Sequence, residues 1–238
     1  MLKRIIIGPA YPLRGGISES NHALQSAFQE KKGITKVVSY SLQYPNFLFP
    51  GKDQNMEGVH KLNNTFNLIN TLNPFSWIKT AKWIIKEDPD YVIIRYWHPY
   101  FAICLRFIIN MIKHKSCIII GWIDNVNPHE SIPFQHFLTS YFLRGCDSFV
   151  VMSNAVKNDM IRIQNINVDK ISLHPHPIYN VFGKSVSKKK AKLNIGISPS
   201  SIVDQDKYVL FFGLIRRYKG LDMLLDVMAS KKIKSLNL

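Results

Sequence analysis

Late in the chain, Phe211-Phe212-Gly213-Leu214-Ile215-Arg216-Arg217-Tyr218-Lys219-Gly220-Leu221-Asp222 sets two or three cations between an apolar run and an amphipathic one. Cations fixed at the start of a helix suit a diphosphate, because an arginine fork grips two oxygens while a lysine supplies a point charge. A solvated basic loop is the plainer alternative. Near the other end, Gly8-Pro9-Ala10-Tyr11-Pro12 closes a short apolar run, and Arg14-Gly15-Gly16-Ile17-Ser18-Glu19 leads into a helical pattern. This is not G-x-G-x-x-G. Two adjacent glycines still let a backbone come close to an anion at a helix N-terminus, unless they only make a tight turn.

The segment Asp124-Asn125-Val126-Asn127-Pro128-His129-Glu130 follows the most apolar run of the chain. In a parallel sheet it falls where strand C-termini line a crevice. Asp124, Asn125, His129 and Glu130 could position sugar hydroxyls there; the alternative is a capped loop with His129 tied to a local carbonyl. Tyr96-Trp97-His98-Pro99-Tyr100 also follows a strand-like run. Trp97 and His98 would suit stacking on a sugar, with core packing the favoured alternative. No metal site is expected. His174 and His176 are flanked by prolines without a matching third ligand, and Asp88-Pro89-Asp90 and Asp204-x-Asp206 precede strands, at the edge opposite the crevice.

These side chains need a frame, and apolar runs alternate with amphipathic stretches to supply one. Residues 4–7, 36–40, 91–96, 117–123, 148–152 and 171–174 read as strands. Residues 18–31, 74–86, 100–113, 134–143 and 154–163 read as helices, the last capped by Ser153. The Asn- and aromatic-rich stretch 43–73 reads as a long loop able to cover a cleft. The rhythm predicts an α/β protein, a Rossmann-like parallel sheet with flanking helices over residues 1–183. Residues 184–206 read as a basic linker, and residues 207–238 as the first strand-helix unit of an incomplete second domain, with a strand at 208–212 and a helix at 221–228.

The whole chain has 238 residues, 46% of them hydrophobic, enough for a packed core and unlike a disordered segment. Its 31 Lys and Arg against 16 Asp and Glu give a net charge of +15, which favours an anionic partner without choosing one. Cys104, Cys117 and Cys146 are odd in number and widely spaced, so buried thiols in a reducing compartment are expected rather than disulfides or zinc knuckles. Ile5 to Ile7 is too short for a signal-peptide core, and the apolar stretch 100–112 is too short to cross a bilayer.

The glycine turn, the Asp124-Asn-Val-Asn-Pro-His-Glu loop and the Arg216-Arg-Tyr-Lys-Gly turn, in that order, resemble the family 4 retaining glycosyltransferases of GT-B fold. Trp97-His98-Pro99-Tyr100-Phe101 and His176-Pro177-Ile178-Tyr179 are similar to segments of bacterial members that build surface polysaccharides. The resemblance implies that residues 1–183 form a GT-B N-terminal, acceptor-side domain. It implies a nucleotide-diphosphate sugar as donor and no metal or other cofactor. Arg216 and Lys219 would neutralise the donor diphosphate, and Gly15 and Gly16 would bring amides to it or to the acceptor. Asp124 stands where many relatives carry a histidine. Family members also carry a late Glu-x7-Glu element, for which no counterpart exists here. A shortened donor half with little transferase activity of its own is therefore expected, completed by a separate chain if at all.

Under the same resemblance the acceptor is a glycan or a lipid-linked glycan, the location cytoplasmic, and any membrane contact peripheral at an anionic inner face. The competing reading is a non-catalytic module that docks a partner or anionic membrane through Lys184, Lys188 to Lys190, and Lys231, Lys232 and Lys234. Nucleic-acid binding has only charge to recommend it, since no helix-turn-helix, zinc finger or aromatic RNP-like strand accompanies the lysines.

Overall fold

A computed structural model describes residues 1–31, 33–45, 54–56, 58, 63–113, 116–128, 132–178, 183–196, 207–213, 215–230 and 236–237. The chain divides into two compact units, Met1–His176 and Pro177–Leu238.

The first unit is built on seven strands: β1 (Lys3–Ile7), β2 (Ile34–Leu42), β3 (Thr65–Asn70), β4 (Tyr91–Tyr96), β5 (Ile118–Ile123), β6 (Ser148–Val151) and β7 (Ile171–Leu173). They lie in the order β3-β2-β1-β4-β5-β6-β7, and every neighbouring pair is parallel. Parallel neighbours need crossovers, and the helices α1 (Gly16–Glu30), α2 (Pro74–Glu87), α3 (Ala102–Ile112), α4 (Gln135–Leu143) and α5 (Asn154–Arg162) supply those from β1 to β2 and from β3 through to β7, while residues 43–64 connect β2 to β3.

From β1 the chain first winds through β2 to β3 and then, by way of α2, crosses back to β4. Right-handed crossovers in opposite directions put α1 on one face of the sheet and the later helices on the other. Packing agrees. Leu24 and Phe28 of α1 cover Ile6, Val37 and Ile93, whereas Trp77, Ala81 and Ile84 of α2, Leu105, Ile108 and Ile109 of α3, and Phe142 of α4 close over Ile5, Ile7, Val92 and Ile94. The central strands read as continuous Val/Ile runs because both of their faces are covered.

Local signals set the helix ends. Asn73 accepts the Phe75 N–H ahead of Pro74 at the start of α2, and Ser153 caps α5 by accepting the Val156 N–H at 3.2 Å. Asp88 ends α2 in the left-handed region, and Asp90 accepts the Lys3 N–H at 2.7 Å. The Asp88-Pro89-Asp90 segment therefore terminates a helix at the N-terminal edge of the sheet, away from the strand C-termini, as expected.

One strand escaped the sequence reading. Thr65–Asn70, inside the stretch read as loop, pairs with β2 as the edge strand β3. Its alternating burial and two asparagines hide it in a polar segment. Residues 54–56 also pair, Leu13 bridging Asn55 in antiparallel fashion, so part of that stretch lies against the glycine turn. Cys104 and Cys146 are buried and Cys117 half-buried, all three as free thiols; burial pushes the first two up to about 12, which makes them poor nucleophiles.

The second unit is small. Residues 184–206, read as linker, contain a short helix α6 (Lys188–Asn194) in which Ser187 accepts the Lys190 N–H. The strand expected over 208–212 is only β8 (Lys207–Tyr208), pairing in parallel with β9 (Leu236–Asn237). Beyond it Leu210 and Phe212 are exposed. Helix α7 (Leu221–Ala229) buries none of its residues. No described helix of either unit is long and apolar enough to cross a membrane.

Candidate functional site

The sheet order reverses between β1 and β4, so the crevice expected of a doubly wound sheet opens at their C-terminal ends. Three segments meet there: the turn from Gly8 to Gly16, the start of α1, and the residue after β5, Asp124. Arg95 joins them. Among the described residues it is the largest fully buried side chain, with 1% of its surface exposed. Its Nη2 donates to Asp124 Oδ1 at 2.7 Å and its Nε to Asp124 Oδ2 at 3.2 Å. Nη1 donates to Ser20 Oγ on α1 at 3.3 Å, and the guanidinium lies 4.9 Å from the centre of the Trp122 ring. The two-point grip fixes the carboxylate plane as no single hydrogen bond could.

Gly8 makes that arrangement fit. A Cβ there would lie 2.6 Å from Asn21 Nδ2 and 2.9 Å from Arg95 Cγ. Asn21 in turn donates to the Pro9 carbonyl at 2.8 Å, which ties the second turn of α1 to the loop. Gly15 adopts φ 128°, a conformation open in practice to glycine alone. α1 starts without a side-chain cap, and its first intrahelical bonds run from Ser18 and Glu19 N–H to the Gly15 carbonyl. The Ser18 hydroxyl is buried with no hydrogen-bond partner among the described residues. Glu19 accepts from the Tyr11 hydroxyl, whose pKa rises to about 12 through burial and that carboxylate.

Burial pushes the Asp124 carboxyl up to about 6, against the opposing pull of Arg95 and a weaker one from His176. It can therefore change protonation close to neutrality, and the arrangement offers a tunable carboxyl beside exposed backbone at a helix start. His176 acts on it electrostatically, and no group of three His, Cys, Asp or Glu side chains suited to a metal occurs among the described residues.

The other sequence candidates are placed as follows. Asn125 is half-buried beside Asp124, while His129 and Glu130 lie outside the described residues. Trp97 joins an aromatic cluster, 4.3 Å from Phe101 between ring centres and donating its indole N–H to the Tyr44 hydroxyl. His98 accepts the Tyr100 N–H at 3.2 Å and so caps the short 3-10 turn Pro99–Phe101. Arg216 and Lys219 belong to the second unit. There a 3-10 turn, Arg217–Lys219, leads through Gly220 into α7, and Lys219 Nζ would lie 2.6 Å from a Cβ on Gly213, which holds φ 116°.

Sequence reasoning passed over Arg95, although a signal was present: one cation inside the otherwise apolar strand Tyr91-Val-Ile-Ile-Arg-Tyr96. A charge in a strand covered on both faces must be paired. Ser18, Ser20 and Asn21 carried a similar signal, since they place polar groups on the inward face of α1. By contrast, a concavity of about 110 Å³ bordered by Lys3, Arg4, Ile34, Lys36, Glu87 and Pro89 lies at the opposite edge of the sheet.

Together the strand order, the uncapped helix after a glycine turn and the polar C-terminal edge define an α/β Rossmann-like fold, shared with neighbours of GT-B type. Among solved structures the chain is similar to a glycosyltransferase from Rickettsia africae ESF-5, at 16% identity and a TM-score of 0.61, over 98% of this chain and 58% of that one. It is similar to the catalytic domain of starch synthase IV from Arabidopsis thaliana bound to ADP and acarbose, at 11% identity and a TM-score of 0.58, over 96% and 65%. A third is an alpha-glucosyltransferase in complex with UDP and a 13-mer DNA, at 11% identity and a TM-score of 0.53, over 96% and 52%. The chain thus spans between 52% and 65% of the length of these structures. No protein-family model matches it, and no curated protein sequence matches it significantly.

Proposed function

We propose that the chain serves a nucleotide-sugar-dependent glycosyltransferase of the family 4 retaining type, acting in bacterial polysaccharide or glycolipid synthesis. In this reading the first unit is the acceptor side. Arg216 and Lys219 grip the donor diphosphate, and Gly15 and Gly16 offer amides to an anionic group of a substrate. Asp124, held by Arg95, orients sugar hydroxyls together with Asn125, and no metal or cofactor takes part. The observation that carries the reading is the Gly15 turn at φ 128° opening an uncapped helix beside the Arg95–Asp124 pair.

Amides and cations that meet a leaving diphosphate stabilise the charge that develops there as the glycosidic bond breaks. The acceptor is proposed to be a glycan or lipid-linked glycan. Isothermal titration with nucleoside diphosphates and their sugars tests the reading. Saturable heat that weakens in Arg216→Ala/Lys219→Ala supports it, and absence of heat with every nucleotide refutes it.

A further inference from the structure

Gly15 and Gly16 are exposed, and a Cβ on either would meet nothing within 4 Å. Glycines lose more conformational freedom than any other residue when they are fixed, so the order of this pair must come from its neighbours in the chain. On one side α1 supplies it, through the Ser18 and Glu19 N–H groups that donate to the Gly15 carbonyl. On the other side stands Arg14, itself exposed, and residues 54–56 hold it. The Arg14 N–H donates to the Gln54 carbonyl at 2.8 Å and the Met56 N–H to the Pro12 carbonyl at 2.8 Å, on either side of the Leu13–Asn55 bridge. Arg14 Nε donates to the Asn55 carbonyl at 2.9 Å.

So short a strap needs an anchor of its own, and Gln54 provides one. Its side chain accepts the Tyr44 N–H at 3.3 Å and donates to the Tyr44 carbonyl at 2.9 Å, so a single amide engages both backbone groups of Tyr44. Tyr44 is fixed in turn at the C-terminal ends of the strands. Its hydroxyl accepts the Trp97 indole N–H at 2.9 Å, and its ring stacks on Tyr100 at 5.6 Å and meets Phe101 edge-on at 5.2 Å. Thr71, just past β3, donates to the carbonyl of the adjacent Gln43 at 3.1 Å. A continuous line of contacts therefore runs from the aromatic cluster through Tyr44 and Gln54 to Arg14, and stops at the residue before Gly15.

We infer that Gln54 is a positioning residue: by tying residues 54–56 to Tyr44 it holds Pro12 to Arg14, and through them the Gly15 and Gly16 amides, in a fixed arrangement ready for an anion. A turn that is ordered beforehand spares the ligand the cost of ordering it, which a loose turn would subtract from affinity. The anion rests on the sugar-transfer reading. The ordering of the turn by Gln54 does not.

NMR backbone relaxation of the full chain without ligand tests the positioning, with Gln54→Met as the variant because it keeps the length of the side chain and loses both hydrogen bonds to Tyr44. The order parameters of Gly15 and Gly16 are expected to fall from about 0.85 in the wild type to below about 0.6 in the variant. Ser76→Ala removes a hydroxyl bonded to both backbone groups of Asn70, outside the strap. It is expected to leave Gly15 and Gly16 as ordered as before, which separates positioning from a general loss of stability, and thermal melts confirm that both variants are folded. Titration with inorganic pyrophosphate, read at the same two amides, is expected to show binding weaker by about threefold or more in Gln54→Met. The inference is overturned if Gly15 and Gly16 are as ordered in Gln54→Met as in the wild type, if Ser76→Ala loosens them equally, or if pyrophosphate binds the wild type and Gln54→Met alike. Wild-type amides that ignore pyrophosphate, yet lose their order in Gln54→Met, would uphold the positioning and refute the anion, so the two failures are told apart.

Discussion

Arg95 is costly to bury, and its three-way contact with Asp124, Ser20 and Trp122 explains how the fold tolerates it. Removing one partner of such a pair leaves the other charged and dry. Arg95→Met is therefore expected to destabilise the protein by about 3 kcal/mol or more, while Arg95→Met/Asp124→Leu regains most of that loss; urea unfolding compares the two. The pH dependence follows from the sign of the Asp124 shift. An unfolded Asp releases its proton near 3.9, whereas the folded carboxyl holds it to about 6. Its contribution is thus fully present in acid and is lost as pH rises through about 6. Between these values the wild type should lose on the order of 2 kcal/mol relative to Asp124→Asn, a difference that melting curves across the range would reveal. Asp124 was legible in the sequence because it follows a run of apolar residues. Its partner was legible only in principle, as an anomaly within a strand, since pairing across residues 95 and 124 depends on the register of β4 and β5.

At the scale of elements, the glycine turn and the strands it joins carry the geometry. Gly8→Ala would drive a methyl group into Asn21 and Arg95, at a cost of about 1–3 kcal/mol. Gly15→Ala meets open space but a forbidden backbone angle; about 1–3 kcal/mol of strain is expected there too. Chemical denaturation measures both, and the Arg95 environment should change in the first variant only. On the other face, Tyr96 shares a 2.9 Å hydrogen bond with Thr139 and stacks on Phe142 at 4.3 Å. Tyr96→Phe keeps the stack and loses the bond, so a destabilisation of about 1 kcal/mol is expected. Helix and strand positions were legible wherever the period was strong, as in Tyr91–Tyr96, Pro74–Glu87 and Asn154–Arg162. Thr65–Asn70 was not, because an edge strand half exposed to water carries polar residues that read as loop. The short helix Lys188–Asn194 was masked by its own lysine run, which composition assigns to a linker.

Across the whole molecule, the alternation of elements announced the parallel sheet, but no sequence pattern stated that β4 would cross back beside β1 and place the crevice there. The net charge of +15 was equally visible and equally mute about location. The second unit, with a two-residue strand pair and a helix that buries nothing, contributes the cationic turn on which the donor reading depends. Calorimetric titration of the full chain with UDP, ADP and GDP, each against its monophosphate, tests that reading most directly. The account predicts saturable binding of at least one diphosphate at about 1 mM or tighter, weakened by Arg216→Ala/Lys219→Ala and by added salt. Equal heats for mono- and diphosphates, or diphosphate binding that this variant leaves untouched, would contradict it.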